Sequence, residues 1–379
     1  MTAPAAGTDV TPYRVEIPQA DLDDLADRLA RVRWPDELPG VGWSYGVPLA
    51  KVRELVDYWR DGYDWRAQEA RINEHPQFVT TIDGERVHFL HVRSPEPDAL
   101  PLIATHGWPM SVVEYLDLIG PLTDPRAHGG DPADAFHLVV PSIPGVGFSG
   151  PTHDVGWDTR RVARAWVELM SRLGYERYGA HGNDGGSQIS PEVGRNAPDR
   201  VAGVHVTQLF SFPSGDPGEF EGMSEEDMAA MQFLQEFSAS GGLAYNAYQS
   251  AQPQTLAYAL QDSPAGWLAW VTQMFREWTD RDYVITNAAI YWLTNTVGSS
   301  IRRYYDEAHP RIDPPTEPTT APTGVAIFAE DFQSVRRFAE RDHSNIVSWN
   351  RYDRGSHFAP HDAADLLLED LRAFFRQVR

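Results

Sequence analysis

The chain has 379 residues, a length that fits one large α/β domain with insertions or two to three smaller domains. Its formal net charge of −22 argues against nucleic acid or an anionic membrane as a partner. Cysteine is absent, which excludes disulfide bonds and thiol nucleophiles. Neither a signal peptide nor an apolar run of about 18–20 residues is evident, so we expect a cytoplasmic protein with no membrane contact.

Residues 1–93 read as an N-terminal extension that contains helices and a hairpin. Apolar residues recur at helical spacing over residues 18–32, and a second short helix follows from Pro48. Tryptophan and tyrosine are frequent between these segments, which favours packing onto another part of the chain. Apolar residues then alternate over residues 78–92 around Asp83-Gly84, a pattern that predicts a β-hairpin.

Short apolar runs that alternate with helical segments follow, over residues 94–212 and again over residues 313–379. They occupy residues 102–105, 136–140, 178–181, 201–209, 325–328 and 346–349. Alternation of this kind predicts an α/β fold with a mostly parallel sheet that is covered on both faces.

Residues 213–312 have a different character, since they are aromatic-rich and helical in pattern without strand-like runs. Helical segments are expected over residues 228–237, 256–260, 267–278 and 288–305. A segment rich in proline and threonine ends this region. We therefore predict a helical cap inserted into the α/β core.

The most informative motif surrounds Asp184, which follows an apolar strand and has Gly182 and Gly186 at positions −2 and +2. This G-x-Nu-x-G pattern is typical of a nucleophile elbow, in which a sharp strand–turn–helix presents the nucleophile above the sheet. A carboxylate in that position indicates attack on a carbon that bears a leaving oxygen or halide, with an ester to the protein as the intermediate. The structural alternative is a glycine-rich turn in which Asp and Asn serve only the turn.

Candidate partners for Asp184 occur downstream in the order that this fold requires. His357 lies in a predicted loop before the last helix and is the candidate general base. Asp331 follows a predicted strand and is the candidate acid that orients His357, with the adjacent Glu330 as its rival.

An oxyanion hole is predicted beside these residues. The segment His106-Gly107-Trp108-Pro109 follows a strand, so the N–H groups of Trp108 and Gly185 are the candidate donors.

Taken together, these motifs resemble the epoxide hydrolases of the microsomal and juvenile-hormone type, in a soluble bacterial form of the α/β-hydrolase superfamily. The resemblance spans nearly the whole chain and implies Asp184 as nucleophile, His357 as base and Asp331 as orienting acid. It also assigns two tyrosines of the cap to ring opening. These are Tyr245, with Tyr248 as its rival, and Tyr305, with Tyr304 as its rival.

The chain departs from the family pattern at two positions of the elbow. Gly185 stands where the family usually has tryptophan, which keeps the backbone N–H but removes one wall of the pocket. Asn183 stands where glycine is usual, a replacement that asparagine tolerates through its access to unusual backbone angles.

The resemblance implies hydrolysis of a hydrophobic epoxide to a vicinal diol through an aspartyl ester, with water as co-substrate and no metal or cofactor. A haloalkane or haloacid dehalogenase uses similar residues on the same fold and is the first alternative. A catalytically silent protein that binds small molecules is the second, because fold alone does not imply activity. The sequence leaves a homodimer open.

Overall fold

A nine-stranded sheet forms the centre of the molecule. The computed structural model describes residues 9–275 and 280–379, so residues 1–8 of the predicted extension and 276–279 of the predicted cap lie outside the described residues. The strands are β1 (Thr11–Tyr13), β2 (Gln77–Ile82), β3 (Glu85–Val92), β4 (Leu100–Thr105), β5 (Phe136–Pro141), β6 (Tyr178–Gly182), β7 (Val201–Val206), β8 (Thr323–Ile327) and β9 (Ile346–Arg351).

The sheet has the order β1-β2-β3-β5-β4-β6-β7-β8-β9. Strand β1 pairs antiparallel with β2, β2 with β3, and β3 with β5. All other neighbouring strands pair in parallel. Every residue of β6 and β7 is buried, as expected for parallel strands that are covered on both faces. The predicted α/β fold with a mostly parallel sheet is confirmed.

Fifteen α-helices are present in the described residues. They are α1 (Gln19–Ala30), α2 (Leu49–Asp61), α3 (Trp65–Ile72), α4 (Leu116–Thr123), α5 (Thr159–Arg172), α6 (Gly185–Asn196), α7 (Glu225–Ala239), α8 (Ala244–Ala251), α9 (Pro253–Asp262), α10 (Pro264–Thr272), α11 (Arg281–Leu293), α12 (Val297–Ala308), α13 (Arg336–Asp342), α14 (Ala359–Asp362) and α15 (Ala364–Val378). None of those described is both long and apolar enough to cross a lipid bilayer.

Helix α5 illustrates how the sequence produces the helices that cover the sheet. The side chain of Asp158 caps its N-terminus by accepting a hydrogen bond of 2.8 Å from the backbone N–H of Arg161. Val162, Trp166 and Leu169 recur at three- and four-residue spacing and are fully buried. The helix therefore packs one apolar face into the core and leaves its other face polar.

The N-terminal hairpin belongs to the central sheet. Its second strand, β3, pairs with β5 in the register Val92↔Leu138. The helices α1 and α2 that precede the hairpin pack against α10 of the inserted region. The segment predicted as an extension therefore extends the sheet and also contacts the cap.

The residues between β7 and β8 include the segment predicted as a cap, and the cap itself stays a prediction. In the described part of this region, helices α7 to α12 occur and no strand is present. Helix α12 packs against both α8 and α9. The loops that follow β4, β6, β7 and β8 all leave the same edge of the sheet, where ligands bind in folds of this type.

Close backbone contacts hold the turn between β6 and α6. A Cβ atom added to Gly182 would collide with the backbone of Gly186, and a Cβ atom added to Gly186 would collide with the carbonyl oxygen of Thr105. Both obstacles are backbone atoms and cannot rotate away. Glycine is therefore required at both positions by the close approach of three chain segments.

We expect Gly186→Ala to destabilise the fold by about 2 kcal/mol or more, because the added methyl group overlaps the Thr105 carbonyl of β4. The free energy of unfolding measured by chemical denaturation checks this. Gly218→Ala is the control, since the nearest atom to its Cβ would be the flexible carboxylate of Asp216 at 3.3 Å. Equal free energies of unfolding for the two variants would contradict the close approach of Gly186 to the Thr105 carbonyl.

Candidate active site

Asp184 occupies the turn between β6 and α6 in a strained backbone conformation. Its φ of 49° and ψ of −118° lie in a region that non-glycine residues rarely adopt. Conformations of this kind cost on the order of 1–3 kcal/mol and persist where the surrounding structure enforces them. The close backbone contacts at Gly182 and Gly186 enforce this conformation of Asp184.

The carboxylate of Asp184 is bound by backbone N–H groups at the end of β4 and the start of α6. The N–H of Trp108 donates to Oδ1 over 2.8 Å, and the N–H of Gly185 also donates to this carboxylate. Burial by itself raises the pKa of Asp184, but the hydrogen bonds from His357 and from these N–H groups outweigh it and lower the pKa. Asp184 is therefore an ionised carboxylate at neutral pH.

His357 connects two carboxylates. Its Nε2 lies 3.6 Å from Oδ2 of Asp184, and its Nδ1 lies 2.7 Å from Oδ1 of Asp331. Burial favours the neutral imidazole, but the charges and hydrogen bonds of Asp331 and Asp184 raise the pKa of His357 well above its ordinary value. The two carboxylates therefore favour the protonated imidazole in the resting site.

The side chain of Asp331 contacts His357, whereas that of the neighbouring Glu330 does not. The side chain of Asp331 is buried and also accepts a hydrogen bond of 2.7 Å from the N–H of Phe332. Glu330 is exposed, and its backbone N–H donates to the carbonyl of Gly355. This geometry favours Asp331 as the acid that orients the imidazole.

Gln208 links Asp184 to Asp331 and was not identified from the sequence. Its Oε1 accepts hydrogen bonds from the backbone N–H of Asp184 over 2.7 Å and from the hydroxyl of Ser187 over 2.8 Å. Its Nε2 donates to Asp331. The available signal was its position, as a polar residue just after the buried strand β7.

A buried hydrogen-bond network around Asn183 was also not identified from the sequence. The amide of Asn183 donates to Glu114 over 2.7 Å and accepts from the hydroxyl of Tyr115 over 2.7 Å. Burial raises the pKa of Glu114 to about 8, so this carboxyl is mostly protonated at neutral pH. Asn183 therefore replaces the usual glycine with a bridge between two buried side chains.

Two tyrosines of the helices between β7 and β8 lie near Asp184. The rings of Tyr245 on α8 and Tyr304 on α12 lie 6.0 Å apart, and both contact the indole of Trp108, at 5.6 and 5.5 Å between ring centroids. Burial raises the pKa of both phenols, and the negative charge of Asp184 adds to the rise. Both phenols are therefore neutral donors close to the carboxylate.

Tyr305, which the sequence assigned to ring opening, lies elsewhere. Its side chain is 42% exposed and stacks on His309 with 4.1 Å between ring centroids. Adjacent residues of an α-helix point about 100° apart, so only one of the two tyrosines on α12 can face the site. The geometry favours the rival, Tyr304, over Tyr305 for this role. Tyr248 is 44% exposed, which favours Tyr245 on α8.

Comparisons with known proteins identify the family. Residues 10–115 match the family model described as "Epoxide hydrolase N terminus". The chain is 42% identical to a provisionally named epoxide hydrolase of Stigmatella aurantiaca, over 98% of this chain and 86% of that protein. It is 30% identical to epoxide hydrolase 1 of Sus scrofa, over 98% of this chain and 90% of that protein. The chain belongs to the epoxide hydrolase family.

Solved structures agree with this epoxide hydrolase identity. The juvenile hormone epoxide hydrolase of the silkworm Bombyx mori superposes with a TM-score of 0.88 and 25% identity, covering 98% of this chain and 96% of that one. The resemblance drawn from the sequence is confirmed, as is the α/β-hydrolase fold.

We expect Tyr304→Phe to lower the kcat of this epoxide hydrolase on an aromatic epoxide by about 10²-fold or more, because it removes a proton donor. Tyr305→Phe is the matched control on the same helix and should leave kcat within about twofold, because its ring lies on the exposed face. Steady-state kinetics of the two variants check this. The reverse order of effects would restore the sequence-based assignment.

Proposed function

We propose that this epoxide hydrolase forms an ester between Asp184 and its substrate in the first step. Oδ1 of Asp184 is held by the N–H of Trp108, so the second oxygen, Oδ2, attacks the oxirane carbon. The C–O bond of the ring breaks, and Tyr245 and Tyr304 hydrogen-bond the departing oxygen while one of them donates its proton. The observation that carries the proposal is an ionised carboxylate on a strained turn, faced by two neutral phenols.

Hydrolysis of the ester is the second step. Esterification removes the charge of Asp184, which is one of the two carboxylates that raise the pKa of His357. The pKa of His357 therefore falls in the intermediate, so the imidazolium releases its proton and the phenolate left by ring opening takes up a proton. The neutral imidazole can then accept a proton from water. Asp331 holds the imidazole through Nδ1 so that Nε2 faces the ester.

Backbone donors stabilise the second step. As water attacks the ester carbonyl, negative charge develops on Oδ1, the oxygen that the N–H of Trp108 binds in the resting site, and the N–H of Gly185 beside the same carboxylate is the second donor. One such donor is usually worth about 10²–10³-fold in rate. The tetrahedral intermediate then collapses to free Asp184 and the diol.

The aromatic surroundings support a hydrophobic epoxide as substrate. Trp108 and Tyr245 stack nearly parallel, with an interplanar angle of 13°, and Trp267 packs against the edge of Trp108. Water is the co-substrate. The expected cytoplasmic location and the open question of a homodimer stay predictions.

A dehalogenase and a silent binding protein are less well supported. A phenol is matched in acidity to an alkoxide leaving group, whereas a halide ion leaves without a proton. The paired tyrosines therefore favour an epoxide over a haloalkane. A silent binding protein would have no need for a strained carboxylate with an imidazole beside it.

His357→Gln should trap the ester, because Asp184 can still attack while the base is lost. We expect intact-protein mass spectrometry to show a mass increase of one epoxide equivalent, with multiple turnovers reduced by about 10³-fold or more. His361→Gln is the control, since His361 pairs with Asp280 at 3.0 Å and contributes no group to the proposed steps. Release of halide from a chlorinated analogue, with no adduct from the epoxide, would favour the dehalogenase.

A further inference from the structure

Gly185, the residue after the nucleophile, leaves a space that an arginine fills. A Cβ atom at Gly185 would collide with Nη1 of Arg303 and would lie 3.3 Å from its Cζ. The φ angle of Gly185 is not positive, so its backbone does not require glycine. The guanidinium of Arg303 lies in the space beside Asp184 that a side chain at position 185 would enter, and as the end of a flexible side chain it would have to shift to admit one.

Arg303 is only partly satisfied by protein acceptors. Its side chain is 11% exposed, and Nη2 donates to the hydroxyl of Thr159 over 3.1 Å and to Glu307 over 3.3 Å, with Gln188 at 3.5 Å. Nε is buried and has no acceptor, and Nη1 has none among the described residues. Buried arginine donors are normally paired, so the unpaired Nε requires an explanation, whereas Nη1 is not fully buried and has its hydrogen-bonding capacity unused by the described residues.

The charge of Arg303 is incompletely neutralised. Glu307 is its paired carboxylate, but the same Oε1 atom also accepts hydrogen bonds from the backbone N–H and the hydroxyl of Thr159. One carboxylate oxygen is thus shared by three donors. Unused hydrogen-bonding capacity remains on the guanidinium, which can bind a further anion.

The guanidinium lies within electrostatic reach of the reacting groups. Arg303 directly precedes Tyr304 on α12, and its charge opposes the rise in the pKa of that phenol that burial and the neighbouring Tyr245 and Asp184 produce. Position 185 also provides an N–H to the Asp184 carboxylate. Nη1 of Arg303 therefore lies close enough to Asp184 for one molecule to contact both groups.

We propose that Arg303, in the space left by Gly185, forms a subsite for a carboxylate on the substrate, so that the enzyme selects epoxides that carry an acid group near the ring. This proposal rests on the proposed function and specifies its substrate class. A guanidinium binds carboxylate through charge-assisted hydrogen bonds that a neutral group cannot replace. The chain has a net charge of −22, which repels anions at a distance, so acid selectivity depends on this local cation.

The test compares two aromatic epoxides that differ only in one substituent, a carboxylate or a carboxamide. We expect wild-type enzyme to have the higher kcat/KM for the acid, and Arg303→Met to lower the acid-to-amide ratio by about 10- to 100-fold. Arg303→Lys should restore part of the ratio because it keeps the charge. If Arg303 had a purely structural role, Arg303→Met would lower kcat/KM for both substrates equally and leave their ratio unchanged.

Two further variants complete the test. Gly185→Ala should also lower the ratio, because the methyl group displaces Nη1, so the proposal does not depend on the folding of Arg303→Met. Arg302→Met is the matched control on the same helix and should leave the ratio unchanged, since Arg302 bonds to Thr152. An unchanged ratio in both Arg303→Met and Gly185→Ala would overturn the proposal.

Binding of the two diol products gives a readout that does not depend on turnover. Calorimetry should show tighter binding of the acid diol to the wild type, and loss of that preference in Arg303→Met. If the enzyme opened neither epoxide, the proposed function would fail while the calorimetry still tested the subsite. Equal affinities for the acid and amide diols in the wild type would overturn the subsite alone.

Discussion

The close approach of three backbone segments at Asp184 is the constraint on which the site depends. Gly182, Gly186 and the Thr105 carbonyl meet without room for a Cβ atom, and this contact keeps Asp184 at a positive φ. The bent backbone directs the carboxylate toward the N–H of Trp108 and toward His357. Gln208 reinforces the turn by binding the N–H of Asp184 while it also binds Asp331. The side-chain amide of Gln208 therefore couples the position of the Asp184 backbone to that of the Asp331 carboxyl group.

The charges of the site change in a sequence that suits two-step catalysis. In the resting site two carboxylates favour the protonated imidazole, which keeps Asp184 ionised. Once Asp184 is esterified, only Asp331 supports the positive charge on His357, so the imidazole becomes available as a base. In the proposed mechanism, the reaction thus converts His357 from an ion-pair partner into a general base.

Local patterns in the sequence predicted the parts of the site that depend on local structure. The elbow around Asp184, the loop with His357 and the strand before Asp331 each follow from a short motif in a strand–loop–helix context. The mostly parallel sheet followed from apolar runs separated by helices. The pairing of β3 with β5 did not, because strand partners that are distant in sequence are set by tertiary packing.

The sequence missed, or left open, those features of the site that are defined by contacts between distant segments. Tyr304 and Tyr305 are equivalent by residue type, and only the rotation of α12 in the cap decides which one faces Asp184. Gln208 becomes significant only because the ends of β7 and β8 lie side by side. From the sequence, Gly185 indicates only that a side chain is missing from the pocket wall. The structure shows that the guanidinium of Arg303 lies where that side chain would be.

A single turnover in water enriched in heavy oxygen, with enzyme in excess over epoxide, tests the central claim most directly. If water attacks the ester carbonyl, the label enters the Asp184 carboxylate, and the first diol released carries an unlabelled oxygen from the protein. Peptide mass mapping and analysis of the diol give both answers from one sample. Label in the diol with none in the Asp184 peptide would mean that water attacks the epoxide directly, and would contradict the account.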